Sequence, residues 1–292
     1  MGYKYSPLNN SFSFDPEIIS PLPQIAWHIT SKCLLNCKFC FDEKLNADYE
    51  DISEIQKTVV ILKELGVQKI DISGGEPLLC TLLKVVIDEC VKNKINMTLT
   101  TSGFANESEI DWLSKNWKLF SRVIISLDGI GDTHNLLRGN TAAFEAFSNA
   151  YSNLSSQGCN ILRINSVVTS YLLSEPQREL LIGHIINLNP LEWCIIQPHP
   201  LNKKSNYNSV DITASQFEEF RDQCTFALRK TNIKLIYRDN NHYSTYWVLD
   251  ARGNLKKVSN NKDYSSKVNL FTMDIESIKK IIDGFEINFP EK

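Results

Sequence analysis

Two periods of apolar residues alternate along this chain. Short runs rich in β-branched and aromatic residues read as buried strands: QIAWHIT (24–30), KIDIS (69–73), INMTLTTSG (95–103), RVIISLDG (122–129), NILRINSVVT (160–169) and LEWCIIQ (191–197). Between them, apolar residues recur every three to four positions, the spacing of a helix face. Helices are predicted from Ser53 to near Gly66, around 79–93, over ESEIDWLSKNWKLF (107–120), along Phe144, Phe147, Tyr151 and Leu154, from about Pro176, and over 214–231. Ser53 with Gln56 reads as a capping box, and Pro176 suits a first helical turn.

Six strand–helix units with short connections predict an α/β fold whose parallel strands are joined by right-handed crossovers. Six units, against the eight of a closed barrel, predict an open, partial (β/α)6 barrel. Ligands in such folds gather beyond the carboxyl ends of the strands. The loop SKCLLNCKFCF (31–41), the turns GGEP (74–77) and TTSG (100–103), and Asp128-Gly129 all fall at that end. Beyond 232 the pattern breaks: IKLIYRD, YSTYWVLD and LKKVS read as strands, ARGN (251–254) as a turn and 275–283 as a short helix. The expected organisation is a lead segment 1–23, the barrel 24–232, and a small α+β extension 233–292 covering the barrel mouth.

Composition narrows the partners. With 31 basic and 34 acidic residues in 292, the formal charge of −3 gives no general affinity for nucleic acid or an anionic membrane. No apolar run is long enough to span a bilayer, and the first residues lack the apolar core of a signal peptide. Met-Gly-x-x-x-Ser, from Gly2 to Ser6, fits the loose acylation pattern, which is short enough to arise by chance. A cytoplasmic protein with its eight cysteines reduced is the expectation. Cys90, on a stripe with Leu79, Leu82, Leu83 and Val86, and Cys224, with Phe217, Phe220 and Leu228, read as packed core thiols.

Cys33, Cys37 and Cys40 are different, because they share one loop. Thiolates select zinc, copper(I) or an iron–sulfur cluster. Zinc needs a fourth ligand, from His28 or Cys80. The alternative is a [4Fe–4S] cluster whose fourth iron is left open. C-x3-C-x2-C after a first strand resembles the signature of the radical SAM superfamily, in which S-adenosylmethionine (SAM) chelates that iron. SGGEP (73–77) after the second strand is similar to the superfamily's glycine-rich SAM motif. By that resemblance Gly74, Gly75, Glu76 and Pro77 approach SAM, Glu76 taking its ammonium group. Phe39 fits the family position near the adenine, and Thr100, Thr101, Ser102, Ser126 and Asp128, where the third and fourth strands end, are candidate SAM contacts. The implied cofactors are the cluster and SAM, with a small-molecule substrate and an electron donor such as flavodoxin or ferredoxin.

Within the superfamily the chain resembles the viperin family. WHIT, ISGGEPLL, SLDGIGDTHNLLRG, RINSVV, EWCIIQ and STYWVLDARGNLKK have counterparts there. The resemblance implies conversion of a nucleoside triphosphate to its 3′-deoxy-3′,4′-didehydro form after hydrogen removal from C4′, and a part in antiviral defence. It places Arg138 against SAM's carboxylate or the substrate phosphates, Arg163 where a lysine serves the triphosphate, and Tyr246 on a tyrosine that helps protonate the departing hydroxyl. Three positions depart from the pattern. Glu192 and Cys194 stand where viperins carry the arginine and lysine that grip the triphosphate, and Ala26 replaces the usual asparagine. Strand alternation puts Glu192, Cys194 and Ile196 on the lumen face. The substrate expected is therefore a nucleotide with fewer phosphates, a nucleoside-like metabolite or a cationic group bound by Glu192. Cys194 reads either as space-filling or as a hydrogen-atom donor to a substrate radical. Modification of a ribosomal peptide is the alternative enzyme reading, and a non-catalytic zinc module the alternative from another class.

Overall fold

The computed structural model describes residues 3–6, 11–14, 22–40, 48–49, 51–199, 209–240, 247–257 and 268–283. Strands β1 (Tyr3–Ser6) and β2 (Ser11–Phe14) form an antiparallel pair. The main body follows the predicted alternation: β3 (Gln24–Thr30), α1 (Ile52–Glu64), β4 (Lys69–Gly74), α2 (Leu83–Lys92), β5 (Asn96–Thr101), α3 (Glu107–Asn116), β6 (Arg122–Ser126), α4 (Asp132–Arg138), α5 (Ala143–Ser156), β7 (Leu162–Val167), α6 (Glu175–Leu188), β8 (Glu192–Ile196) and α7 (Ala214–Leu228). Strands β3 to β8 pair in sequence order and all in parallel, the arrangement of a partial barrel.

Three local details differ from the sequence reading. α1 begins one turn-step earlier than the Ser53 box, because Asp51 is the N-cap and accepts the Ser53 amide at 2.8 Å. The helix expected over 79–93 divides into a 3-10 turn, Pro77–Leu79, and α2. The seven-residue α4 was not predicted.

After 232 the chain returns to the same sheet. β9 (Lys234–Arg238) pairs in parallel with β8, and β10 (Trp247–Leu249) pairs in parallel with β3 at the other side. β11 (Asn254–Lys257) and β12 (Val268–Asn269) extend that side antiparallel, and α8 (Ile275–Asp283) packs Ile278 and Ile282 into the core. The result is a ten-stranded sheet in which the segment set apart as an extension supplies strands at both edges.

Alternation along each strand sorts the side chains. Ile25, Trp27, Ile29, Ile70, Ile72, Leu99, Val123, Ile125, Ile164, Trp193 and Ile195 face the helices and form the core with them. Cys90 and Cys224 lie in that core, as their stripes predicted. The opposite face of the strands lines the lumen and carries nearly all the polar residues that matter below.

Candidate functional site

A cavity of about 420 Å³ opens at the carboxyl ends of the strands. Cys33, Cys37 and Cys40 line it, as do Phe39, Gly74, Gly75, Thr100, Thr101, Ser102, Ser126, Asp128 and Arg138. The four loops that sequence placed at this end thus meet around one space.

The glycine turn holds the cysteine loop. Gly75 N–H donates to Thr30 O at 2.8 Å and Glu76 N–H to Lys32 O at 2.7 Å. A Cβ on Gly75 would stand 2.2 Å from Lys32 O, and one on Gly74, whose φ is +127°, 2.3 Å from Thr30 O. Only glycine lets these two backbones run so close. Glu76 itself stands behind the wall, 1% exposed. Its Oε1 accepts from Thr101 Oγ1 at 2.6 Å and Leu78 N at 3.2 Å, and its Oε2 from Ser102 N at 2.8 Å and Oγ at 2.5 Å. Burial pushes its carboxyl up, against these four donors. In this arrangement Glu76 braces the hydroxyl turn that faces the cavity, and Pro77 starts the 3-10 turn beside it.

The second clamp on the loop comes from α4. Asn36 N–H donates to Arg138 O and Lys38 N–H to Leu137 O, both at 2.9 Å. The Arg138 side chain then joins three parts of the site. Nε and Nη2 each lie 2.5 Å from Asp128 Oδ2, Nη1 lies 3.8 Å from Cys37 Sγ, and the guanidinium sits 5.3 Å from the Phe39 ring centre. Burial opposes the charge on Arg138, but Asp128 and Cys37 outweigh it and hold the guanidinium above its ordinary value. Asp128 Oδ1 also accepts the Val167 amide at 2.7 Å, and the Asp128 amide donates to His134 Nδ1 at 3.0 Å. That donation leaves Nδ1 no proton, so the 3.9 Å approach of His134 to Asp128 is not an ion pair. Burial and Arg138 carry His134 down to about 2.

Burial raises the Cys33 thiol, so free thiolate is disfavoured until a metal or cation compensates. Among the described residues no three His, Cys, Asp or Glu side chains converge on a point as ligands of one ion, the arrangement zinc requires. Cys80 does not line the cavity; its Sγ lies 3.9 Å from Ile29 O, and burial raises it to about 11. Three thiols spread along one wall beside a glycine cradle fit a cluster, in which each cysteine binds a separate iron.

The predicted substrate residues lie deeper. Glu192 and Cys194 face the lumen with Ile196, but of these three only Ile196 lines the cavity. Arg163 is tied to Glu192 and does not reach the wall. Cys194 is fully buried, its thiol raised by burial, next to Asn165 in register. Tyr246 lies outside the described residues. The lining also includes Gln24, Asp71, Asn165, Gln197, His199 and Arg238, which sequence reading did not single out. Asn165 Oδ1 is buried without a hydrogen-bond partner. Its place two residues after Arg163 on one strand was the available signal.

A model of the radical SAM superfamily matches residues 27–179. The chain is 26% identical over 256 residues to an S-adenosylmethionine-dependent nucleotide dehydratase of Flammeovirga pacifica, spanning 80% of this chain and 81% of that protein. It is 26% identical over 221 residues to a protein of the same description from Lacinutrix mariniflava, covering 70% of this chain and 44% of that one. Among solved structures, Streptococcus suis SuiB bound to S-adenosylmethionine matches 90% of this chain and 66% of its own, with a TM-score of 0.72 at 17% identity. The likeness to SuiB is one of fold. No described helix is long and apolar enough to cross a membrane.

Proposed function

Because the chain belongs to the radical SAM superfamily, we propose that it acts as a viperin-like nucleotide dehydratase, cleaving SAM reductively and taking a hydrogen atom from the ribose of a nucleotide. Cys33, Cys37 and Cys40 would hold a [4Fe–4S] cluster with one iron open to SAM. Bound there, the two cofactors would supply a 5′-deoxyadenosyl radical, which is chemistry no side chain offers.

The chain's own residues position and enclose. The Gly74-Gly75 turn brings backbone to the ligand and fixes the loop through Thr30 and Lys32. Thr101 and Ser102 turn their hydroxyls onto the buried Glu76, which fixes the backbone of the turn that lines the cavity. Arg138, anchored on Asp128, offers its charge to SAM's carboxylate beside Cys37, and Phe39 offers a flat apolar face to the adenine. Asn165 lines the wall, and a turn of its amide would bring the unpartnered Oδ1 to a sugar hydroxyl. An electron donor of the flavodoxin or ferredoxin type would complete the system.

One observation carries this reading: the three loop cysteines, the glycine turn and Arg138 line a single cavity at the carboxyl ends of a parallel sheet. The test is an anaerobic assay of the reconstituted protein with SAM and dithionite, quantifying 5′-deoxyadenosine with and without nucleoside mono-, di- and triphosphates. Cleavage that rises several-fold with a nucleotide is the expected result. Slow cleavage indifferent to every nucleotide would move the substrate to peptides or other metabolites. Bound zinc with no cleavage would end the enzyme reading.

A further inference from the structure

The lumen floor carries charges that the reading above leaves unused. Lys69 and Asp71 on β4, Arg122 on β6, Arg163 on β7, Glu192 on β8 and Arg238 on β9 share the inward face. Glu192, 5% exposed, binds two arginines, Arg163 on the adjacent β7 and Arg122 one strand further on. Its Oε2 accepts from Arg163 Nη2 at 2.5 Å and Nε at 2.7 Å, and its Oε1 from Arg122 Nη2 at 3.1 Å. Neither arginine lines the cavity. Arg238 does, beside Gln197 and His199, carried there by β9 in register with Ile196.

Charge then decides what the lumen accepts. On the wall, Arg138 and Arg238 balance Asp71 and Asp128. With the floor and the buried Glu76 included and the exposed Lys234 set aside, the described cations Lys69, Arg122, Arg138, Arg163 and Arg238 outnumber the described carboxylates Asp71, Glu76, Asp128 and Glu192 by one. Burial, with the nearby arginines, lowers Lys69 to about 8, so this excess is an upper limit near neutral pH. Burial lowers His199 to about 4 and leaves it neutral there. A phosphomonoester brings about two negative charges and a triphosphate about twice that. The first exceeds this balance by about one charge and the second by about three, and an unmatched buried charge is strongly disfavoured.

We propose that the substrate is a nucleoside monophosphate whose phosphate docks against Arg238, and that Glu192 excludes triphosphates by holding Arg122 and Arg163 to the floor. This rests on the nucleotide reading of the same site. The assay is anaerobic calorimetric titration of the reconstituted, SAM-loaded protein with each ribonucleoside and its 5′-mono- and triphosphate. For one base, the monophosphate is expected to bind about tenfold or more tighter than both nucleoside and triphosphate, the scale of one charge-assisted contact. Arg238→Gln should remove that advantage over the nucleoside, and Arg238→Lys should keep part of it. Glu192→Gln, which releases the two arginines, should raise triphosphate affinity by a similar factor. Iron content and circular dichroism establish that each variant is folded, and the wild-type ranking needs no variant. Tighter binding of the triphosphate, or monophosphate binding unchanged in a folded Arg238→Gln, overturns the proposal while the nucleotide reading stands. No nucleotide or nucleoside binding, with SAM still bound and cleaved, overturns both.

Discussion

Single residues in this molecule act mainly by how closely they let backbones approach and by which proton they refuse. Gly75 is the clearest case of the first. Its missing Cβ is what allows the cysteine loop to hydrogen-bond to the GGE turn. Gly75→Ala is expected to cost about 1–3 kcal/mol through overpacking, read by denaturant unfolding. Iron bound per chain after reconstitution should fall further than that loss of stability explains. His134 is the case of the second. The fold holds it neutral, so above its ordinary value of 6.5 both states carry no proton and its stabilisation is whole. Below 6.5 the unfolded chain takes a proton that the folded chain refuses down to about 2, and stability is lost as pH falls. Between pH 6.5 and 5 this amounts to about 2 kcal/mol at one group. His134→Asn, whose Oδ1 can accept the Asp128 amide without titrating, should flatten that part of the acid limb in unfolding at pH 7 and 5. The three cysteines and the GGE turn were legible as residues because their spacing and types are chemistry in themselves. Arg238 and Asn165 were not, since an arginine or asparagine on a strand looks alike whichever space it faces.

At the scale of elements, the strand–helix alternation was readable because burying one face of a strand and one stripe of a helix leaves a period in the sequence. What escaped was set by tertiary contact. α4 is too short to show a period, yet its last turn fastens the cysteine loop. Gly139, at φ +67°, ends that helix, and a Cβ there would stand 2.5 Å from Asn36 O. Gly139→Ala is therefore expected to loosen the junction, with faster hydrogen exchange at the Asn36 and Lys38 amides and little change in α5 or β6. Equal exchange in the two proteins would mean that α4 is not what holds the loop. β9 shows the same limit in a different form. IKLIYRD was recognisable as a strand, but its partner was not, because pairing depends on the sheet edge that β8 leaves open.

For the molecule as a whole, the division at 232 has less meaning than the change of pattern suggested. The last part of the chain supplies β9 to one side of the sheet and β10 to β12 to the other. A chain ending at residue 232 is expected to be insoluble or to unfold without a cooperative transition, as scanning calorimetry would show. It would expose β8 and β3 as bare edges and lose the wall residue Arg238. Both edges of the barrel sheet are thus completed by strands that follow the barrel in the sequence. This ordering reaches into the protein's biosynthesis. The cysteine loop leaves the ribosome early, on a strand whose outer neighbour β10 does not yet exist. Until β9 and β10 have joined the sheet, the three thiols face a cavity that lacks the wall residue Arg238 and the outer neighbour of their strand. Cluster binding is therefore expected to be stronger in a chain carrying β9 and β10 than in one that stops before them, as iron bound per chain after reconstitution would show.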